Sequence, residues 1–144
     1  MSANPESVEQ LVWEVRRTFR ELTVAADREL KPLGLQAADR AFLEFLAREA
    51  EPVSLSVLSR KYGVSRQHMQ QTLRRLANPG WIEEKPDASD QRVILLRLSK
   101  KGRAAWEKVR AVDEALLERW AKGLTEKQTT EAAATLRTLR GVVS

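Results

Sequence analysis

The sequence contains no cysteine and a single histidine, His68. The absence of cysteine excludes disulfide bonds, thiolate metal ligands and cysteine-based redox sensing. With only one histidine, a zinc site built from this chain alone is not expected either. We therefore predict that the protein uses neither a bound metal nor another cofactor.

Long apolar segments are also missing, because the longest uninterrupted apolar run spans residues 93–96. A membrane-spanning helix needs about 20 apolar residues. The first residues include Pro5, Glu6 and Glu9 instead of a basic stretch followed by apolar residues, so no secretion signal is expected. We therefore predict a cytoplasmic protein that does not associate with membranes.

The motifs of common enzyme classes are absent as well. The sequence shows no glycine-rich phosphate loop, no cysteine nucleophile and no metal-binding cluster. His68 is not paired by motif with a serine and an aspartate. These absences predict a protein that is not an enzyme.

Acidic residues are missing from residues 52–82, although they are frequent elsewhere. The 144 residues carry 25 Lys and Arg against 20 Asp and Glu, a net charge of +5. Five cations lie in the acid-free segment, which therefore accounts for the whole excess; they are Arg60, Lys61, Arg66, Arg74 and Arg75. A solvated helical face usually mixes both signs of charge, so this segment favours contacts with phosphates over simple exposure to solvent.

Apolar residues spaced by three and four positions predict helices over residues 8–30 and 38–46. Two further periodic segments, over residues 55–62 and 65–77, are separated only by Gly63 and Val64. Two helices joined by so short a turn are typical of a helix-turn-helix motif.

The spacing of the apolar residues changes after the helix-turn-helix motif. Short segments at residues 81–85 and 92–98 flank a polar loop and predict a two-stranded hairpin. Ser99 then begins a long helix that ends near Gly123. A capping box of Thr125 and Gln128 begins the last helix.

The second helix of the predicted helix-turn-helix has an apolar face and a polar face. Its apolar face comprises Met69, Thr72, Leu73 and Leu76, and its opposite face carries Arg66, Gln67, Gln70, Gln71 and Arg74. Arginine can form two hydrogen bonds with guanine, and glutamine can do so with adenine, so this face is suited to reading bases in the major groove. Ser65, as the N-cap, would bring backbone amides and a hydroxyl to a phosphate.

Each of these polar residues taken alone could simply be exposed to solvent, but their combination with the acid-free segment favours DNA binding. His68 lies on the same helix and could contact DNA or respond to pH. An isolated exposed histidine is the simpler interpretation of this residue.

Three short motifs between residues 55 and 102 resemble the winged helix-turn-helix of the multiple antibiotic resistance regulator (MarR) family. They are the turn that contains Leu58, Gly63, Val64 and Ser65, the wing sequence Asp87-Ala88-Ser89-Asp90-Gln91-Arg92, and Leu98-Ser99-Lys100-Lys101-Gly102. The order and length of the flanking helices extend the resemblance over nearly the whole chain. Departures from the family pattern are Gln36, Trp81 and Asn78-Pro79.

This resemblance implies a homodimer, held by its first and last helices, that binds a pseudo-palindromic operator in double-stranded DNA. It implies that Arg92 is the wing arginine that enters the minor groove and that Asp90 supports the wing. An exposed turn ion pair between the two residues is the alternative, and both interpretations can hold together.

The implied fold is mainly α with a small β-hairpin wing. We expect an N-terminal dimerisation helix in residues 1–34, a winged helix-turn-helix in residues 35–99 and C-terminal dimerisation helices in residues 100–144. The implied function is sequence-specific regulation of transcription, as a repressor released by a small, for example aromatic, ligand. The alternative function is that of an architectural DNA-binding protein without an effector.

Several aromatic residues lie on apolar helical stripes and could line a pocket for such a ligand. They are Trp13, Phe19, Phe42, Phe45, Trp106 and Trp120. For each of them, ordinary packing in the core and the dimer interface is the favoured explanation. No ligand-binding residue is therefore predicted.

Overall fold

The computed structural model describes all 144 residues. The six helices are α1 (Pro5–Leu30), α2 (Ala37–Ala47), α3 (Leu55–Tyr62), α4 (Arg66–Ala77), α5 (Lys100–Ala121) and α6 (Glu126–Val143). The three strands are β1 (Val53–Ser54), β2 (Ile82–Pro86) and β3 (Ile94–Leu98), and a short 3₁₀ helix covers Lys31–Leu33. The expected fold class, mainly helical with a small wing, is confirmed.

The chain divides into two compact units, Met1–Val109 and Arg110–Ser144, with the division inside α5. None of its helices combines the length and the apolar character needed to cross a bilayer.

The first helix, α1, begins three residues earlier than the apolar pattern predicted. The side chain of Asn4 accepts a hydrogen bond from the N–H of Glu6 at 2.9 Å, and Pro5 occupies the first helical turn, where it needs no N–H partner. At the other end, Gly34 adopts a left-handed conformation with φ of 73°, which ends the 3₁₀ helix that follows α1.

The helix-turn-helix prediction is confirmed in α3 and α4. Gly63 has φ of 66°, and its N–H donates to the carbonyl of Ser59 at 3.0 Å. The hydroxyl of Ser59 donates to the carbonyl of Val64 at 2.6 Å, which closes the turn. Ser65 then caps α4, because its Oγ accepts the N–H of His68 at 3.2 Å.

The sheet has the strand order β1-β3-β2, and both pairings are antiparallel. The hairpin of β2 and β3 was predicted, but β1 was not: its two residues are too few to show an alternating pattern, and Val53 pairs with Leu96 only in the folded chain. The last strand also begins later than predicted, at Ile94, so Arg92 lies in the loop that joins the two strands.

The core of the first unit lies between α2, α3, α4 and the sheet. Its most fully buried apolar side chains include Phe42, Leu43, Leu58, Met69, Leu76 and Leu96. All four residues predicted for the apolar face of α4 are buried. Since this packing occupies one face of α4, the opposite face is presented to solvent.

The second unit consists of the remainder of α5 and of α6. The predicted capping box is present: the Oγ1 of Thr125 accepts the N–H of Gln128 at 3.1 Å, and the N–H of Thr125 donates to the Gln128 side chain at 3.0 Å. No side chain of α6 is buried. The apolar spacing of this helix predicts that Ala132, Leu136, Leu139 and Val143 face inward. Leu136 and Leu139 are half-buried, but Ala132 and Val143 are exposed.

Candidate nucleic-acid interface

The polar face of α4 is exposed along its whole length. All predicted base-reading residues lie on it, namely Arg66, Gln67, Gln70, Gln71 and Arg74, and Ser65 precedes them as the N-cap. Because α4 begins at Arg66, the backbone N–H groups of Arg66 and Gln67 have no carbonyl partner within the helix and lie beside the Ser65 hydroxyl. The face can therefore offer hydrogen-bond donors and acceptors to base edges and donors to a phosphate.

In the folded chain, two cations of the acid-free segment pair with acidic residues from outside it. Nη2 of Arg75 lies 2.7 Å from Oδ1 of Asp39, and Nζ of Lys61 lies 2.8 Å from Oε1 of Glu49. Both acids precede the segment in the chain, so the sequence pattern could not reveal the pairs. Three of the five cations keep no acidic partner; they are Arg60, Arg66 and Arg74.

Glu49 is the centre of a small cluster at the end of α2. Its Oε1 accepts hydrogen bonds from Lys61 and from the hydroxyl of Tyr62, the latter at 3.1 Å. The bond from Lys61 holds the pKa of Glu49 below its usual value and raises the pKa of Lys61. The ring of Tyr62 also stacks on Phe45 at 4.0 Å between centroids, so the cluster joins α3 to α2.

The loop between β2 and β3 forms the tip of the wing. Its backbone is closed by hydrogen bonds from Asp87 to Val93 at 2.8 Å and from Val93 to Asp90 at 2.9 Å. Asp87 also accepts the N–H of Ser89 at 3.0 Å, which is an Asx turn. These bonds hold the loop in one conformation although its side chains are exposed.

Asp90 and Arg92 form an ion pair within this loop. The Asp90 carboxylate accepts Nε of Arg92 at 3.0 Å, Nη2 at 3.2 Å and the Arg92 backbone N–H at 3.1 Å. These hydrogen bonds lower the pKa of Asp90. The Arg92 side chain remains 91% exposed, so the pair orients the guanidinium without removing it from the surface.

The aromatic residues considered for a ligand pocket differ in their surroundings. Phe42 belongs to the core, Phe45 stacks on Tyr62 and Trp106 is half-buried, whereas Trp13, Phe19 and Trp120 are exposed. No group of three or more His, Cys, Asp or Glu side chains is arranged to hold a metal ion.

Residues 35–102 match the family described as a winged helix DNA-binding domain. No curated protein sequence matches the chain.

Several solved structures share the fold. The transcriptional regulator BldR from Sulfolobus solfataricus is 18% identical, with a TM-score of 0.83 and coverage of 95% of this chain and 99% of the other. A MarR-family transcriptional regulator from Rhodococcus sp. RHA1 is 18% identical, with a TM-score of 0.81 and 96% coverage of both chains. CouR from Rhodococcus jostii RHA1, in its structure with p-coumaroyl-CoA, is 20% identical, with a TM-score of 0.77 and 90% coverage of both.

Residues 35–102 are therefore a winged helix DNA-binding domain, and the chain as a whole has the fold of MarR-type regulators. The resemblance inferred from the three sequence motifs is confirmed.

Proposed function

We propose that this protein is a sequence-specific transcriptional regulator that binds a pseudo-palindromic operator as a homodimer. The observation that carries the proposal is the exposed, acid-free polar face of α4 within a winged helix DNA-binding domain. In this role Arg66, Gln67, Gln70, Gln71 and Arg74 read base edges in the major groove, and Ser65 lies against a phosphate. Access to chromosomal DNA is required, and we propose a cytoplasmic location for this reason.

The wing has a separate role in this proposal. Arg92 enters the minor groove beside the site read by α4, and Asp90 holds the loop that presents it. The narrow minor groove attracts arginine through its negative potential, which depends on groove width more than on individual bases. The 91% exposure of the Arg92 side chain supports this assignment.

Dimerisation is supported by apolar side chains that the chain itself leaves uncovered. In the first unit Trp13, Phe19 and Val24 are 54%, 70% and 64% exposed, and in the second unit Leu117 and Val142 are 58% and 76% exposed. Monomeric proteins seldom expose extended apolar surface on their helices. A second copy that contributes the same surfaces would cover them, and a two-fold dimer would present two α4 helices to one face of the duplex.

We further propose that the regulator is a repressor released from its operator by a small organic ligand. CouR, which has the same fold, has been crystallised with p-coumaroyl-CoA, which supports ligand control in a protein of this architecture. The alternative, an architectural protein without an effector, would use the same winged domain but show little preference among DNA sequences.

Selection from a random pool of duplex DNA tests the proposal. The expected result is a two-fold sequence whose half-sites lie about one helical turn apart and are both protected in footprints. Arg66→Ala and Gln70→Ala should each weaken binding to this sequence by about 1–3 kcal/mol and weaken binding to random DNA much less.

Gln10→Ala is the matched control, since it removes an equally exposed glutamine from α1. Equal affinity of the wild-type protein for selected and random DNA would favour the architectural alternative.

A further inference from the structure

Arg75 lies on the recognition helix α4 and, unlike Arg66 and Arg74 on the same helix, is paired with an acidic side chain, although its own side chain is 44% exposed. Its Nε and Nη2 donate to Oδ1 of Asp39 at 3.1 and 2.7 Å. The Asp39 side chain is only 5% exposed. The second carboxylate oxygen, Oδ2, accepts the backbone N–H of Gln36 at 2.9 Å. Both oxygens of this buried carboxylate are therefore held, one of them by the recognition helix.

This is the one ion pair that α4 forms, and it joins residues 36 positions apart in the chain. The remaining contact of α4 with the core is through apolar side chains such as Met69 and Leu73. Apolar burial has no preferred direction and permits small rotations and shifts of a helix. Two hydrogen bonds from a planar guanidinium to one carboxylate oxygen are directional and oppose such movements.

We propose that Arg75 is a positioning residue for base recognition. Its bonds to Asp39 fix the rotation and the axial position of α4, so that Arg66 and Gln70 meet base edges in a single geometry, and Arg75 itself does not contact DNA. This inference rests on the proposed function. Productive recognition requires side chains placed to within about 0.5 Å, a tolerance that a small rotation of α4 would exceed.

The neighbouring residue Arg74 supplies a matched comparison. It carries the same charge one position earlier on the same helix, but it has no acidic partner. Arg74→Gln and Arg75→Gln remove equal charge from nearly the same place. Because the net charge changes equally, a difference between the two variants in random-DNA affinity and salt slope reports whether the cation is available to DNA or held in the ion pair.

The test measures binding to the selected operator and to random DNA over a series of salt concentrations. Stoichiometric titration gives the fraction of active protein, so that loss of folded molecules is separated from loss of affinity. Arg74→Gln should weaken operator binding through the loss of its base contact, and it should also weaken random-DNA binding and reduce the salt slope by about one because it removes an exposed cation. Arg75→Gln should weaken operator binding at least about tenfold while binding to random DNA and the salt slope stay unchanged.

Two further variants keep the test decisive where Arg75→Gln fails to fold. Arg75→Lys keeps the charge but loses the planar guanidinium, and Asp39→Asn keeps the size of the side chain but loses the carboxylate. Both should lower the ratio of operator to random-DNA affinity at unchanged salt slope. Amide hydrogen exchange should be faster in α4 and unchanged in α6, a local effect that a general loss of stability would not produce.

An Arg75→Lys protein with the full wild-type affinity ratio would overturn the inference. So would an Arg75→Gln protein whose random-DNA affinity and salt slope fall as in Arg74→Gln, because Arg75 would then be a phosphate contact. If the wild-type protein itself prefers no sequence, the proposed function fails and this inference fails with it. If the wild type selects an operator and Arg75→Lys keeps the affinity ratio, only the positioning role is wrong.

Discussion

The backbone of Gly102 lies directly against the carbonyl group of Trp81. A Cβ built on Gly102 would overlap the Trp81 oxygen and lie 2.9 Å from its carbonyl carbon. The same oxygen accepts the N–H of Ser99 at 2.9 Å, and the Ser99 hydroxyl donates to the carbonyl of Gly80 at 2.6 Å. The first turn of α5 and the base of the wing thus form one closely packed junction.

Gly102→Ala should destabilise the protein for this reason, by about 1–3 kcal/mol, although alanine is the better helix former. Urea unfolding followed by circular dichroism measures the change. Gly141→Ala is the control, because Gly141 also lies within a helix but a Cβ there would meet nothing within 4 Å. That variant should be stabilised by about 0.5–1 kcal/mol. Equal stability of the two variants would show that the contact at Trp81 relaxes at no cost.

Arg92→Gln should weaken binding to both the operator and random DNA and lower the salt slope by about one, since it removes the cation that we propose enters the minor groove. Salt-dependent fluorescence anisotropy measures both quantities. Arg97→Gln is a matched control within the wing, because Arg97 lies on β3 and its Nε is paired with Glu83 at 2.5 Å. Unchanged affinity and slope in a folded Arg92→Gln protein would leave Arg92 as a turn residue paired with Asp90.

Light scattering at micromolar concentration should give about twice the chain mass of 16.4 kDa. Phe19→Glu should shift the protein towards monomers, because it places a charge on an apolar side chain that is 70% exposed in the single chain. Thr18→Glu adds the same charge at the adjacent exposed position and should leave the mass unchanged. A monomeric wild-type protein that binds its operator with full affinity would contradict the dimer.

The stability conferred by the Glu49 cluster should depend on pH. The pKa of Glu49 is lowered in the folded protein, chiefly by the hydrogen bond from Lys61, so the folded state favours the charged carboxylate. Its contribution should be fully present above the unfolded-state pKa of about 4.3 and be lost as the pH falls through the lower folded-state pKa. Urea unfolding of wild type and Glu49→Gln should therefore differ at pH 6, and the difference should shrink below about pH 4. A difference that is constant down to pH 3 would show that the effect of the substitution does not depend on the charge of Glu49.

Local sequence patterns determined the helices and the turn between α3 and α4. Gly63, Ser65 and the apolar spacing of α4 act within a few residues of one another, so their outcome could be predicted without knowledge of the rest of the chain. The polar face of α4 follows directly, because burial of Met69 and Leu73 leaves the opposite face exposed. The candidate base-reading residues were identified from the sequence for this reason.

Only the tertiary structure decided which charges remain available on that surface. Arg75 and Arg74 are adjacent and chemically identical, yet one is held by Asp39 and the other has no acidic partner. The pairing of Val53 with Leu96 that adds β1 to the sheet also joins distant parts of the chain. Such contacts depend on where separate elements pack, which no local pattern of residues encodes, because their energy arises only when the core of α2, α4 and the sheet has assembled.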